Sequence, residues 1–181
     1  MKQINTYINE KLTLNKDSGI KYNYHPKDND ELRSLIKKLL KERGPDADLN
    51  DIDVSKIIDM QELFVNLDPH NIDISKWDVS NVTTMYSMFW ECENFNSDLS
   101  NWDVSNVKDM DGMFCRCTNF NSDLSKWDIS NVENITYMFY ECENFNSDLS
   151  KWNISNVKEM LSTFRKCKSL KKIPEWYTGK I

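Results

Sequence analysis

Two rhythms of apolar and polar positions run along this chain, and they divide it near Asn50. In the first part the rhythm changes from segment to segment. Ile4, Tyr7 and Ile8 are spaced as on one face of a short helix, and GIKYNYHP alternates like a strand that stops at a proline. NDELRSLIKKLLKERGP then sets Leu32, Leu35, Ile36, Leu39 and Leu40 on a single helical face. Acids open that segment, bases close it and Gly44-Pro45 stops it, the order that a helix dipole favours. The spacing predicts an α-β-α cap over residues 1–48.

After Asn50 the chain repeats itself. FNSDLSNWDVSNV at 95–107 returns 25 positions later as FNSDLSKWDISNV and again from Phe145 as FNSDLSKWNISNV, with a looser copy, HNIDISKWDVSNV, from His70. A fixed period of this size signals units that stack, because one unit cannot bury its own apolar face. Three registers recur: Trp77, Trp102, Trp127 and Trp152; Phe89, Phe114, Phe139 and Phe164; Cys92, Cys117, Cys142 and Cys167. Within one unit, Trp102 and Val104 are spaced as in a strand, whereas Val107, Met110, Met113 and Phe114 are spaced as on a helix. Ser80, Ser105, Ser130 and Ser155 stand at the join, where a helix takes a side-chain oxygen for its free amides. Each unit is therefore expected to run strand, cap, short helix and polar turn. A degraded unit occupies Leu49 to Phe64, and the pattern decays in KKIPEWYTGKI, where Trp176 or Tyr177 is expected to plug the far end. The organisation expected is a cap at 1–48, repeats at 49–170 and a terminal cap or tail at 171–181.

Charge and composition narrow the role. With 29 acids against 23 bases, the net charge of -6 argues against a nucleic-acid partner, whose phosphates call for a basic stripe. No apolar run is long enough for a membrane span, and the N-terminus lacks the apolar block of a secretory signal. The chain as given is expected in the cytoplasm, or at the cell surface if a leader was removed.

The motif FNSDLSKWDVSNVxxMxxMFxxC is similar to the BspA-like repeats of bacterial surface proteins and mycoplasma lipoproteins, a variant leucine-rich repeat family. The similarity spans about Leu49 to Leu170. It implies a curved stack with parallel strands on one face and a role in binding, often adhesion to host proteins or other bacteria. The fold expected is a right-handed αβ solenoid of leucine-rich-repeat type, about five 25-residue repeats behind the cap.

Candidate sites follow from the registers. The cysteines sit beside Met and Phe as small buried hydrophobes do, and their spacing lacks a paired zinc framework. Cys115 is the odd one and is expected to be more exposed. Asp78, Asp103, Asp128 and Asn153 form an outward ladder, and Asp73, Asp98, Asp123 and Asp148 form another in the turns. Calcium ligation or turn hydrogen bonding would each use such carboxylates. The two histidines, His25 and His70, build no catalytic constellation, and no glycine-rich phosphate loop occurs. No enzymatic activity, cofactor or metal is expected. Positions that vary between units are released from packing and free for recognition. Among them Tyr86, Trp90, Tyr137, Tyr140 and Arg165 are aromatic or cationic anchors of the type that protein interfaces favour. The alternative, that they pack on the adjacent helix, stays open. A non-enzymatic module that binds a protein partner is the role these features imply, with a surface adhesin or an intracellular acidic effector as alternatives.

Overall fold

A computed structural model of the chain describes residues 21–179. The short helix expected around Ile4 to Ile8 lies outside the described residues. One α-helix is present among them, α1, Asn29–Arg43. Its sequence signals are met atom by atom. Asp28 caps the first turn by accepting from the Glu31 N–H at 2.9 Å, and the Gly44 N–H closes the last turn on the Leu40 carbonyl. Gly44 has φ 90, a left-handed value that costs glycine nothing. Leu32, Ile36 and Leu39 are buried. Beside the helix, Tyr24 bridges to Ile52, and Arg43 grips both Asp51 carboxylate oxygens at 2.9 Å.

The structure overturns the αβ fold class, and with it the strand expected in the cap, where Tyr24 makes only an isolated bridge. No further helix and no sheet forms among the described residues, and residues 49–170 are a succession of turns with isolated bridges in place of strands. The physical reason lies in the period. The apolar pairs Leu99 and Trp102, Val104 and Val107, Met110 and Met113, Phe114 and Cys117, and Cys117 and Phe120 are each spaced by three. Each pair flanks a β-turn whose later N–H donates to the earlier carbonyl, at 2.9–3.2 Å. A turn of this kind sends two apolar residues inward and two polar residues outward. It satisfies the same hydrophobic spacing that a helix would, without any i to i−4 bond.

Other N–H groups bond to the adjoining units, most of them to the next one. Met110, Gly112, Phe114 and Arg116 donate to the carbonyls of Asn134, Thr136, Met138 and Tyr140 at 2.7–3.0 Å. The same set joins Met85, Ser87, Phe89 and Glu91 to Asp109, Asp111, Met113 and Cys115. Parallel bridges connect Asp59, Thr84, Asp109, Asn134 and Glu159 in one line. Aiming alternate amides the same way requires left-handed residues. Glu62, Ser87, Gly112, Tyr137 and Ser162 share one such register, with φ 49–60, and Asn66, Glu91, Arg116, Glu141 and Lys166 share another, with φ 59–66. A helix cannot contain them.

The core is aromatic. Phe89 and Phe114 stack at 5.6 Å, Phe114 and Phe139 at 5.7 Å, and Phe139 and Phe164 at 5.7 Å, with a second file of Phe95, Phe120 and Phe145 alongside. Trp77, Trp102, Trp127 and Trp152 are 4–5% exposed. Each indole Nε1–H donates to a carbonyl of the preceding unit, as Trp127 does to Leu99 at 3.0 Å. Trp176 continues the file on Trp152 at 6.3 Å, and Tyr177 meets Phe164 edge-on at 5.0 Å.

Two substitutions separate packing from hydrogen bonding. Phe114→Ala deletes a fully buried ring and is expected to destabilise the chain by about 3–5 kcal/mol. Trp127→Phe keeps most of the apolar volume but removes one of the two bonds on the Leu99 carbonyl, which keeps the Trp102 N–H, at a cost of about 0.5–1.5 kcal/mol. Urea denaturation of the two variants checks the order.

Candidate functional site

The ladders account for most side chains that sequence alone leaves ambiguous. The four register cysteines point inward, and their thiols face the carbonyls of Phe64, Phe89, Phe114 and Phe139 at 2.9–3.4 Å. All five cysteines are free thiols. Burial pushes Cys92, Cys115 and Cys167 up to about 12, and holds Cys117 and Cys142 well above the ordinary value. Cys115 is 2% exposed, which corrects its expected exposure: Trp90 and its neighbours cover it.

The outward Asp78, Asp103, Asp128 and Asn153 are exposed, and each accepts the N–H of the serine two residues on, at 3.0–3.2 Å. The turn ladder of Asp73, Asp98, Asp123 and Asp148 does the same at 2.9–3.1 Å. Backbone bonds from Ser125 and Ser150 hold Asp123 and Asp148 below the usual carboxylate range, and the Ser130 hydroxyl does so for Asp128. These are Asx turns, made by short side chains where glycine is scarce. Ser80, Ser105 and Ser130 cap no helix. Their carbonyls instead accept the side-chain amides of Asn106, Asn131 and Asn156 at 2.6–2.7 Å. Among the described residues no group of three or more His, Cys, Asp or Glu could hold a metal ion.

Elsewhere the variable positions converge. Trp90, Cys115, Arg116, Tyr137, Tyr140 and Arg165 line one groove of about 240 Å³. Glu62, Val65, Tyr86, Ser87 and Trp90 line a second, of about 220 Å³. Trp90 belongs to both. Tyr86, Trp90, Tyr137, Tyr140 and Arg165 are thereby brought to one surface, and the aspartate ladder lines neither groove.

Gly112 sets the position of Trp90. A Cβ built on Gly112 would lie 2.8 and 2.9 Å from two carbons of the Trp90 ring and 3.1 Å from the Ser87 hydroxyl. The indole lies across the space that glycine leaves empty. Tyr137 and Tyr140 meet edge to face at 5.6 Å, and Tyr137 itself holds φ 52, unusual for a bulky residue. The floor is edged by charges that alternate from unit to unit. Arg116 reaches Glu91 at 2.6 Å and Glu141 at 3.2 Å, Glu141 pairs with Lys166, and Lys166 lies 5.5 Å from the Tyr140 ring centre. The Glu91 carboxylate, and then Glu141, raise the Arg116 guanidinium further. Arg165 has no ion-pair partner among the described residues. Arg116 was missing from the sequence-derived site, and Gly112 was read only as one of its variable outer positions. The signals existed: a glycine where other units have Glu, Ser or Tyr, and a Glu-Arg-Glu-Lys alternation at 25-residue spacing.

The family described as Mycoplasma protein of unknown function, DUF285, matches residues 34–143 and again residues 102–181. The chain belongs to that family. Its two overlapping matches run from residue 34, within α1, through the stack. No curated protein and no solved structure matches the chain. No helix among the described residues is long and apolar enough to cross a membrane.

Gly112→Ala adds a methyl that the indole occupies, at a left-handed residue. The expected cost is about 1–2 kcal/mol from backbone strain alone, with more from displacing Trp90, read as a lower melting temperature. Ser87→Ala, in the same register, adds no atom and is expected to stay within about 0.5 kcal/mol apart from its lost hydroxyl. The thiols give a pH test. Their folded pKa values lie above the ordinary 9.0, so the stabilisation is full below that pH and is lost as pH rises toward about 12. Urea midpoints are expected to hold from pH 7 to 8 and fall by pH 10.5, with slow thiol labelling of the folded chain at pH 8.

Proposed function

We propose that the chain is a non-enzymatic protein-binding module whose contact surface is the paired groove around Trp90. The supporting observation is the convergence of Tyr86, Trp90, Tyr137, Tyr140 and Arg165 on one surface, although none is needed for the repeated core. Large aromatics with an adjacent arginine present much apolar area at small entropic cost, with a charged group to fix register. The exposed face of Asp78, Asp103, Asp128 and Asn153 is a second, more polar contact area in this reading. Its carboxylates stay available to solvent while bonded to their own turns. Within the family we infer a finer kinship with the BspA-like repeats of bacterial surface proteins. The shared FNSDLSKWDVSNV motif supports it and favours an adhesive role over that of an intracellular acidic effector.

Affinity capture with the wild-type chain and a Trp90→Ala/Tyr140→Ala variant, from intact host-cell surfaces and from lysate, tests the reading. A partner held through the groove is expected to weaken about 30-fold or more, as loss of about 2 kcal/mol at an aromatic hot spot implies. The variant is expected to melt lower, for the loss of Trp90 packing over Gly112, while still folded at the assay temperature. A partner retained by that variant and lost on Asp103→Asn/Asp128→Asn would move the site to the aspartate face. Retention by both variants would defeat the proposal.

A further inference from the structure

Along the Met110–Arg116 register the two ends of the stack are chemically opposite. There alternate N–H groups donate to carbonyls of the next unit, whereas Thr83, Lys108, Glu133 and Lys158, outside it, donate to the preceding one. At the N-terminal end the first carbonyls are covered by α1. Asn29 donates to the Gln61 carbonyl at 2.9 Å, and Arg33 donates to those of Glu62, Leu63 and Val65. At the other end Trp176 and Tyr177 cover the rings and bury Thr163 and Phe164, and the described residues put nothing over the flanking positions Met160 and Lys166. The amides of Met160 and Lys166, the counterparts of Met110 and Arg116, have no acceptor among the described residues, whereas Ser162, the counterpart of Gly112, is buried. The amide of Phe164 is directed at the Tyr177 hydroxyl.

This open edge is surrounded by matching features. Ile154, Val157, Met160, Leu170 and Ile173 are only partly buried, whereas their counterparts in the preceding units are enclosed. Residues 151–179 carry seven Lys or Arg against two Glu, in a chain of net charge -6. Lys158, Lys166 and Lys168 reach back to Glu133, Glu141 and Glu143. Lys151, Arg165, Lys171 and Lys172 form no ion pair among the described residues.

We propose that the Met160–Lys166 edge docks an extended acidic segment of a partner protein, whose backbone carbonyls take the free amides while its carboxylates meet Lys151, Arg165, Lys171 and Lys172. An exposed row of backbone donors is a template for an added chain. Charge selects which chain. A second copy fits poorly: its acceptor end is occupied by Asn29 and Arg33, and two donor ends would bring cations against cations. The proposal is independent of the Trp90 groove.

The probe is a labelled (Glu-Val)5 peptide, with (Lys-Val)5 as control, followed by fluorescence anisotropy and amide hydrogen exchange. The acidic peptide is expected to bind, to weaken about tenfold for Lys171→Glu/Lys172→Glu, and to weaken further as salt rises. Lys37→Glu/Lys41→Glu, on exposed lysines of α1 at the opposite end, is expected to leave binding unchanged. Without peptide, the amides of Met160 and Lys166 should exchange quickly and those of Met110 and Arg116 slowly. Peptide should slow the first pair. No binding, equal binding by the Lys171/Lys172 variant, or unchanged exchange at Met160 and Lys166 would overturn the proposal. So would protection that grows with protein concentration alone, which would assign the edge to a second copy.

Discussion

Residues 49–170 hold their shape because the backbone groups that local turns do not pair find partners one unit away. In a helix those partners lie four residues along the same segment, and in a sheet on a neighbouring strand. Here the chain alternates: one amide closes a local turn, and the next crosses to the following unit. Burying an amide or carbonyl without a partner costs a few kcal/mol, so no unit can adopt this backbone alone. Side chains obey the same rule in the opposite direction. Trp127 Nε1, Cys142 Sγ and Thr163 Oγ1 each reach a carbonyl 28 residues earlier. The phenylalanine files supply the largest fully buried side chains, and these bonds fix which ring sits over which.

That economy leaves the outside of each turn unconstrained. Outer positions 86, 90, 137, 140 and 165 contribute little to the repeated core, so aromatic and charged residues can collect there without disturbing it. Gly112 shows the coupling between the two layers. A left-handed residue is required at that register whatever the unit, and glycine there also removes the Cβ that would block Trp90. The neighbouring Glu91, Arg116, Glu141 and Lys166 turn a repeated left-handed position into a file of alternating charge, so that like charges never face each other across one unit step.

A stack with aligned amides must also have unlike ends. The guanidinium of Arg33 is well suited to the acceptor end, because one planar group can serve several carbonyls at once. The donor end is only partly served, by Trp176 and Tyr177 over the rings. Stability and recognition thus divide the molecule between them, the repeated interior carrying the first and the variable rim and open edge the second.

Much of this was legible in residue spacing. The recurrence of Trp, Phe and Cys marked which side chains would be buried. The capped, amphipathic run from Asn29 to Arg43 marked α1, because helix signals are local and each is satisfied within a few residues. The backbone of the repeats was not legible. An apolar residue at every third position suits a helix and a run of turns alike, and the choice depends on where the amides go. Only Gly112 among the left-handed positions advertises its φ; Ser87, Arg116 and Tyr137 adopt theirs because the neighbouring units supply the acceptors. The sequence by itself determined the period, the inward-facing residues and the cap helix, since those follow from covalent order and hydrophobicity. Tertiary structure alone decided that the repeats are turns rather than αβ units, and that Tyr86, Trp90, Tyr137, Tyr140 and Arg165 share one surface. Hydrogen bonds between residues 25 or 26 positions apart are made only once the stack exists.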